Sequence, residues 1–217
     1  MKLVTMRDSK SRAERLESSS LSSGSMRRFS TDVKLRAYIV GLALGDGNLS
    51  NPNGRAVRLR ITCDKKYPKL LTHICGSVHK LLPDNKVSRI NREGAVDVSG
   101  YSNRWEALLG WEARAGSKFK QKVSIPVWIK KDRVLQRECL RGLLQTDGSI
   151  YLDRKYKMVN FVSEIPSLAL DVYALIKDLG YKISMQRFLN EFGKVKFTIR
   201  IATKTEAFLK DTNLWKK

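Results

Sequence analysis

The residues best placed to do chemistry are two aspartates, Asp46 and Asp147. Each precedes a glycine and follows a stretch of helix-like apolar spacing. In LRAYIVGLALGDG (residues 35–47) and ECLRGLLQTDGSI (residues 138–150), Gly41, Leu42, Asp46 and Gly47 fall at the same offsets as Gly142, Leu143, Asp147 and Gly148. A lone Asp-Gly reads as a helix-ending turn, because glycine accepts the left-handed backbone that ends a helix. Two copies in register ask for a joint explanation. Gly41 and Gly45, like Gly142 and Thr146, lie four residues apart on one helix face. Small residues at that spacing let two helices pack closely, which would bring Asp46 and Asp147 out together at the helix ends. Like charges that close shift each other's pKa unless a cation bridges them. Carboxylates together with backbone carbonyls, here those of Gly45 and Thr146, suit a hard ion such as Mg²⁺. Two such ions can clamp the attacking and leaving oxygens of a phosphodiester.

The elements that must hold these aspartates also repeat, in the order αββαββα in each half. The boundaries expected are a first half over 33–110, a joining segment over 111–132 and a second half over 133–217. In RAVRLRIT (residues 55–62), Val57, Leu59 and Ile61 alternate with Arg58, Arg60 and Thr62, as in a half-buried strand. A helix over 67–82, a turn at 83–85, a hairpin of 86–92 with 95–99 and a short helix over 101–110 complete the first half. The second half offers a strand over 155–162, a helix over 166–179 ending at Gly180, a hairpin of 182–189 with 194–202 and a closing helix over 203–209. In that hairpin Lys196, Thr198 and Arg200 alternate with Phe197, Ile199 and Ile201. Residues 1–32, with their serine run, read as a basic flexible segment.

Composition narrows the partner. Lys and Arg total 42 against 21 acids, a formal net charge of +21. Such an excess repels itself in a compact fold and favours a polyanion, nucleic acid first, because neutralised phosphates release counterions. There is no long apolar segment and no secretory signal, so membrane insertion and secretion are not expected. Cys63, Cys75 and Cys139 are odd in number and lack CxxC spacing, which fits a reducing intracellular setting, bacterial cytoplasm or organelle matrix. His73 and His79 read as helix-surface or packing residues.

IVGLALGDG (residues 39–47) and LRGLLQTDG (residues 140–148) resemble the motif of the LAGLIDADG homing endonucleases, and the resemblance runs over roughly 33–210. It implies an α+β fold of two pseudo-symmetric αββαββα repeats, with the motif helices at the interface and two curved antiparallel sheets forming a DNA-binding saddle. It implies a monomer, without an obligate protein partner, that cuts both strands of a long non-palindromic DNA site. The cofactor would be Mg²⁺, with Mn²⁺ able to substitute and Ca²⁺ supporting binding without efficient cutting. Asp46 and Asp147 would bind the metals. Lys118 is the candidate basic residue after the first half, with Lys120 and Lys122 as alternates, and no equivalent is evident after the second half. Arg58, Arg60, Thr62, Arg89, Asn160, Lys196, Thr198 and Arg200 are the candidate DNA contacts, since Arg can read guanine and Asn adenine. The chain departs from the motif at Leu44 and Gln145, where a second acid often stands. It also has Cys63 or Asp64, and Ser163 or Glu164, where the family commonly places Gln or Lys. The alternatives are an intron maturase or a DNA/RNA-binding regulator on the same fold. A self-splicing element is not expected, since little length lies outside the two halves and no His-Asn ending is present.

Overall fold

The computed structural model describes residues 28–189, 193–201 and 203–216. The segment expected to be flexible therefore lies outside the described residues as far as residue 27. The first half runs α1 (Val33–Leu44), β1 (Gly47–Ser50), β2 (Arg58–Asp64), α2 (Pro68–Leu81), β3 (Ser88–Asn91), β4 (Ala95–Tyr101) and α3 (Trp105–Leu109). A short helix, α4 (Val127–Lys130), lies in the joining segment. The second half runs α5 (Arg133–Thr146), β5 (Gly148–Asp153), β6 (Tyr156–Ser163), α6 (Pro166–Asp178), β7 (Ile183–Leu189), β8 (Val195–Ile201) and α7 (Thr205–Asp211). The order αββαββα thus occurs twice. The two sheets share one permutation, β1-β2-β4-β3 and β5-β6-β8-β7, antiparallel throughout.

Alternation was sufficient to locate β2, β6 and β8 but not β1 or β5. β1 has only four residues, too few for a period of two to stand out. β5 leaves its half-buried start for exposed residues after Ile150.

Helices α1 and α5 begin alike. The Asp32 carboxylate accepts from the amides of Lys34 and Leu35 at 3.0 and 3.1 Å, and the Asp132 carboxylate from those of Val134 and Leu135 at 2.7 and 3.3 Å. Each cap satisfies amides that lack an intrahelical partner. α1 is buried without interruption from Ala37 to Leu44, because α2, α3, β1 and β2 cover the faces that α5 does not.

The two helices meet at backbone distance. A Cβ on Gly41 would overlap the Cys139 carbonyl and lie 2.9 Å from the Leu143 nitrogen. One on Gly142 would overlap the Tyr38 carbonyl oxygen and lie 2.8 Å from the Leu42 nitrogen. The glycines after the aspartates have a different reason from the one the turn chemistry suggests. Neither Gly47 nor Gly148 takes a positive φ. They are the first residues of β1 and β5, which fold back on the last turn of their own helices. A Cβ would sit 2.7 Å from the Ala43 carbonyl carbon in one case and 2.8 Å from the Leu144 Cα in the other.

This geometry separates two glycines that a helix-propensity scale would treat alike. Gly41→Ala should destabilise the fold by about 1–3 kcal/mol through overpacking. Gly76→Ala, on the exposed face of α2 with nothing within 4 Å of its added Cβ, should stabilise it by about 0.5–1 kcal/mol. Urea midpoints of both variants check the pair of signs.

Candidate active site

Asp46 follows the last turn of α1, and Asp147 is the C-cap of α5. The close approach of the helices brings their carboxyl groups together: a Cβ on Gly45, next to Asp46, would stand 3.3 Å from the Asp147 Cγ. Both side chains reach solvent on their outer side, while packed protein desolvates the inner one. Asp147 is pushed up to about 6, first by desolvation and then by repulsion from Asp46, with Lys118 and Lys216 opposing. Asp46 is raised too, again chiefly by desolvation. Asp147 is therefore the carboxyl of the pair that keeps its proton up to about pH 6.

A lysine sits against each helix end. The Lys118 ammonium donates to the carbonyls of Ala43 at 3.3 Å, Leu44 at 2.7 Å and Gly45. The Lys216 ammonium donates to the carbonyls of Thr146 at 2.8 Å and Gly148 at 2.9 Å. All but that of Gly148, which opens β5, are carbonyls that a helix terminus leaves without partners. Desolvation lowers the pKa of both lysines, and the two aspartates pull it back up. Lys120 and Lys122 are exposed and lie outside this cluster, whereas Lys118 is half-buried within it.

Lys216 corrects the expectation that the second half has no counterpart of Lys118. Its neighbour Trp215 is held from two sides. The Trp215 carbonyl accepts from Gln145 Nε2 at 3.1 Å, and its ring meets His73 edge-on at 5.7 Å. Gln145 Oε1 accepts in turn from the buried Tyr38 hydroxyl at 2.7 Å. The motif position that departs from the family pattern therefore ties α1, α5 and the Lys216 segment together. The one sequence signal for this was a polar residue, Gln145, at a position that Leu44 fills in the first motif.

Two clefts flank the pair. One, of ≈ 340 Å³, includes Asp46, Lys216, Cys63 and Asp64 in its walls. The other, of ≈ 280 Å³, includes Asp147, Lys118, Ser163 and Glu164. Each thus combines a motif aspartate, the lysine bound to the end of the other motif helix and the end of a central strand. The Cys63 thiol is pushed up to about 11, mainly by desolvation, so it stays neutral. Asp64 is paired with Lys66 at 2.7 Å.

The sheets carry most of the remaining candidates. Val57, Leu59 and Ile61 are buried, and Arg58, Arg60 and Thr62 turn away from them. Arg58 Nε donates to Ser50 at 3.2 Å and Thr62 Oγ1 to Asp97 at 2.8 Å. Lys196, Thr198 and Arg200 share the outward face of β8, and Asn160 shares that face on β6. Arg89 is misplaced by the sequence reading. It pairs in register with buried Val98, and its Nε meets Cys75 Sγ of α2 at 3.0 Å, so it lies on the helix side of the sheet. With β3 only four residues long, the phase of its alternation was not readable. Among the described residues, no helix is long and apolar enough to cross a membrane.

Known proteins share this fold. The family described as a LAGLIDADG-like domain matches residues 135–187. The ATP-dependent DNA helicase Hel308 of Thermococcus kodakarensis is 26% identical over 162 residues, an alignment that spans 72% of this chain but only 14% of the helicase. Among solved structures, I-DmoI in complex with DNA and Mn superposes with a TM-score of 0.62 at 16% identity, covering 85% of this chain and 98% of that one. The N-terminal LAGLIDADG domain of DUF199/WhiA gives 0.56 at 13% identity, covering 87% of each chain. The protein therefore carries a LAGLIDADG-like domain in its second half and has the two-domain LAGLIDADG fold across the described chain.

Proposed function

We propose that the protein is a site-specific DNA endonuclease that makes a double-strand break in a long, non-palindromic target. The observation that carries this reading is the close-set Asp46–Asp147 pair, flanked by two lysines where the motif helices end. A purely structural role would not favour two acids with repulsive, desolvated carboxyls at helix C-termini.

The oxygen donors fit a hard divalent cation. Asp46 and Asp147 would hold it, with the carbonyls of Gly45 and Thr146 within the same cluster, as expected for Mg²⁺ or Mn²⁺. When bound, such an ion supplies charge neutralisation at the scissile phosphate and activates water for attack. The chain's own part is positional. The helix contact sets the two carboxylates side by side, and both must be deprotonated to carry full charge. Lys118 and Lys216 bring positive charge to the cleavage centre. Outward arginines and lysines of the sheets neutralise the DNA backbone and fix its register. Because both aspartates lie in one chain, a single copy supplies both, and the target need not be symmetric.

A binding-only protein on the same fold is the second reading, and one observation favours it. The lysine ammoniums already occupy the Gly45 and Thr146 carbonyls, so the helix ends are neutralised without a metal.

Two measurements separate the readings. Asp46→Asn and Asp147→Asn should each retain DNA binding in mobility-shift assays. Each should lose more plasmid cleavage in Mg²⁺ than the ~10–100-fold that follows removal of an outer-shell group. Wild-type chain that binds a target but never cuts it in Mg²⁺ or Mn²⁺ would leave the binding-only reading.

The second measurement is the pH profile. The raised carboxyl is neutral below about 6 and charged above it, so cleavage at limiting Mg²⁺ should rise as pH passes through about 6. More Mg²⁺ should move that midpoint to lower pH, since ion and proton compete for the same oxygens. DNA affinity should not fall as pH is lowered over the same interval, and a parallel fall in binding would contradict the assignment.

A further inference from the structure

The two sheets can be compared residue by residue from their motif glycines, because Gly47 pairs with Ile61 and Gly148 with Phe161. On that count Arg58, Arg60 and Thr62 of β2 correspond to Met158, Asn160 and Val162 of β6. Asp97 of β4 corresponds to Thr198 of β8 by the same register. The scaffold is repeated, but the chemistry of its outward face is not.

On the first face hydrogen-bonding groups are organised by a buried acid. Asp97 is 1% exposed, yet it lies on the outward side of β4, opposite Thr62. It accepts from Thr62 Oγ1 and from Arg92 Nε, and Arg60 Nε stands 3.9 Å away. Both arginines face the carboxylate through Nε, the inner nitrogen. Their terminal amino groups remain for an outside acceptor, Arg92 being hydrogen-bonded at its base and Arg60 held there by charge alone. An acid so deeply covered is shielded from a phosphate and acts on the arginines instead.

The second face is apolar at matching positions. Tyr156 is 75% exposed, Phe188 52% and Val162 38%, and all three lie on the outward side with Met158. Asn160 is tied at both ends, donating to the Tyr151 hydroxyl at 2.9 Å and accepting from Arg200 Nε at 3.2 Å. It is therefore less free to pair with adenine than its type alone suggests. Lys196 stands opposite Phe188 in the ladder, and Arg200 completes a face in which cations are interleaved with apolar groups. A protein partner would match the apolar groups but not those cations on a chain of net charge +21. A DNA groove matches both, with phosphates for the lysine and arginine and thymine methyls for the rings and branched carbons.

We propose that the two halves read their half-sites by different chemistries. Arg60 and Arg92, held by Asp97, recognise guanine opposite the first sheet, and Tyr156, Met158, Val162 and Phe188 recognise thymine methyls opposite the second. The target is then asymmetric in base composition, guanine-bearing on one side and thymine-bearing on the other. This rests on the DNA-binding reading above.

The test is selection of the full chain, in Ca²⁺, against a duplex library randomised on both sides of the centre. Guanine should be enriched on one side and thymine on the other. Arg92→Ala should relax the guanine preference by about tenfold and leave the thymine side unchanged. Asp97→Asn, if it folds, should do the same. Replacing thymine by uracil, which lacks only the methyl group, should weaken wild-type binding but have little effect on a Phe188→Ala, Tyr156→Ala double variant. Equal composition on the two sides, or indifference to uracil, overturns the proposal while leaving DNA binding intact. Failure to enrich any duplex overturns the DNA-binding reading itself.

Discussion

Everything in this molecule hangs on the contact between the backbones of α1 and α5. Gly41 and Gly142 face each other's helices so closely that a single methyl group has no room. Ridge-and-groove packing with ordinary side chains would hold the axes ~8–10 Å apart. Glycine removes that spacer, and the two aspartates come together at the helix ends, the Asp147 Cγ lying 3.3 Å from where a Cβ on Gly45 would stand. The same contact sets the sheets on either side, because β1 and β5 leave directly from the helix ends through Gly47 and Gly148.

That closeness has an electrostatic cost. The C-terminal end of a helix carries partial negative charge, and here two such ends meet with a carboxyl on each. Desolvation and mutual repulsion raise both carboxyls above their ordinary range. Lys118 and Lys216 offset this by bringing an ammonium to the free carbonyls of each end. The arrangement is quasi-symmetric although the routes differ. Lys118 arrives on the joining segment, and Lys216 on a strand-free stretch pinned by Trp215, Gln145 and Tyr38. Departures from local preference of this kind are expected where a fold serves chemistry.

The repeat is a scaffold rather than a duplicated surface. Both sheets have one strand order and one burial phase, set by the need to cover the corresponding helices of each half. The outward residues are free of that need and have diverged in character, with Arg58 against Met158 and Thr62 against Val162. Asp97 is a buried acid on the outward side, and its pairing with arginines rather than packing explains its place.

Sequence alone determined the features that depend on local periodicity and on repetition. The paired Gly and Asp-Gly offsets identified the motif helices. Alternation over Arg58–Thr62 and Lys196–Arg200 gave the inward and outward faces, because a strand inverts its side chains at every residue. Tertiary structure decided whatever depends on chain segments meeting. It turned Gly47 and Gly148 from presumed left-handed caps into points of backbone contact with Ala43 and Leu144. It moved Arg89 to the helix side, where a four-residue strand had given no phase. It brought Lys216 to a helix end far away in sequence. It also buried Asp97 beneath two arginines, of which only Arg92 is near it in the chain. No spacing rule links these partners, since an ammonium or a guanidinium on a long flexible stem finds its carbonyl or carboxylate only after the helices have fixed where that acceptor stands.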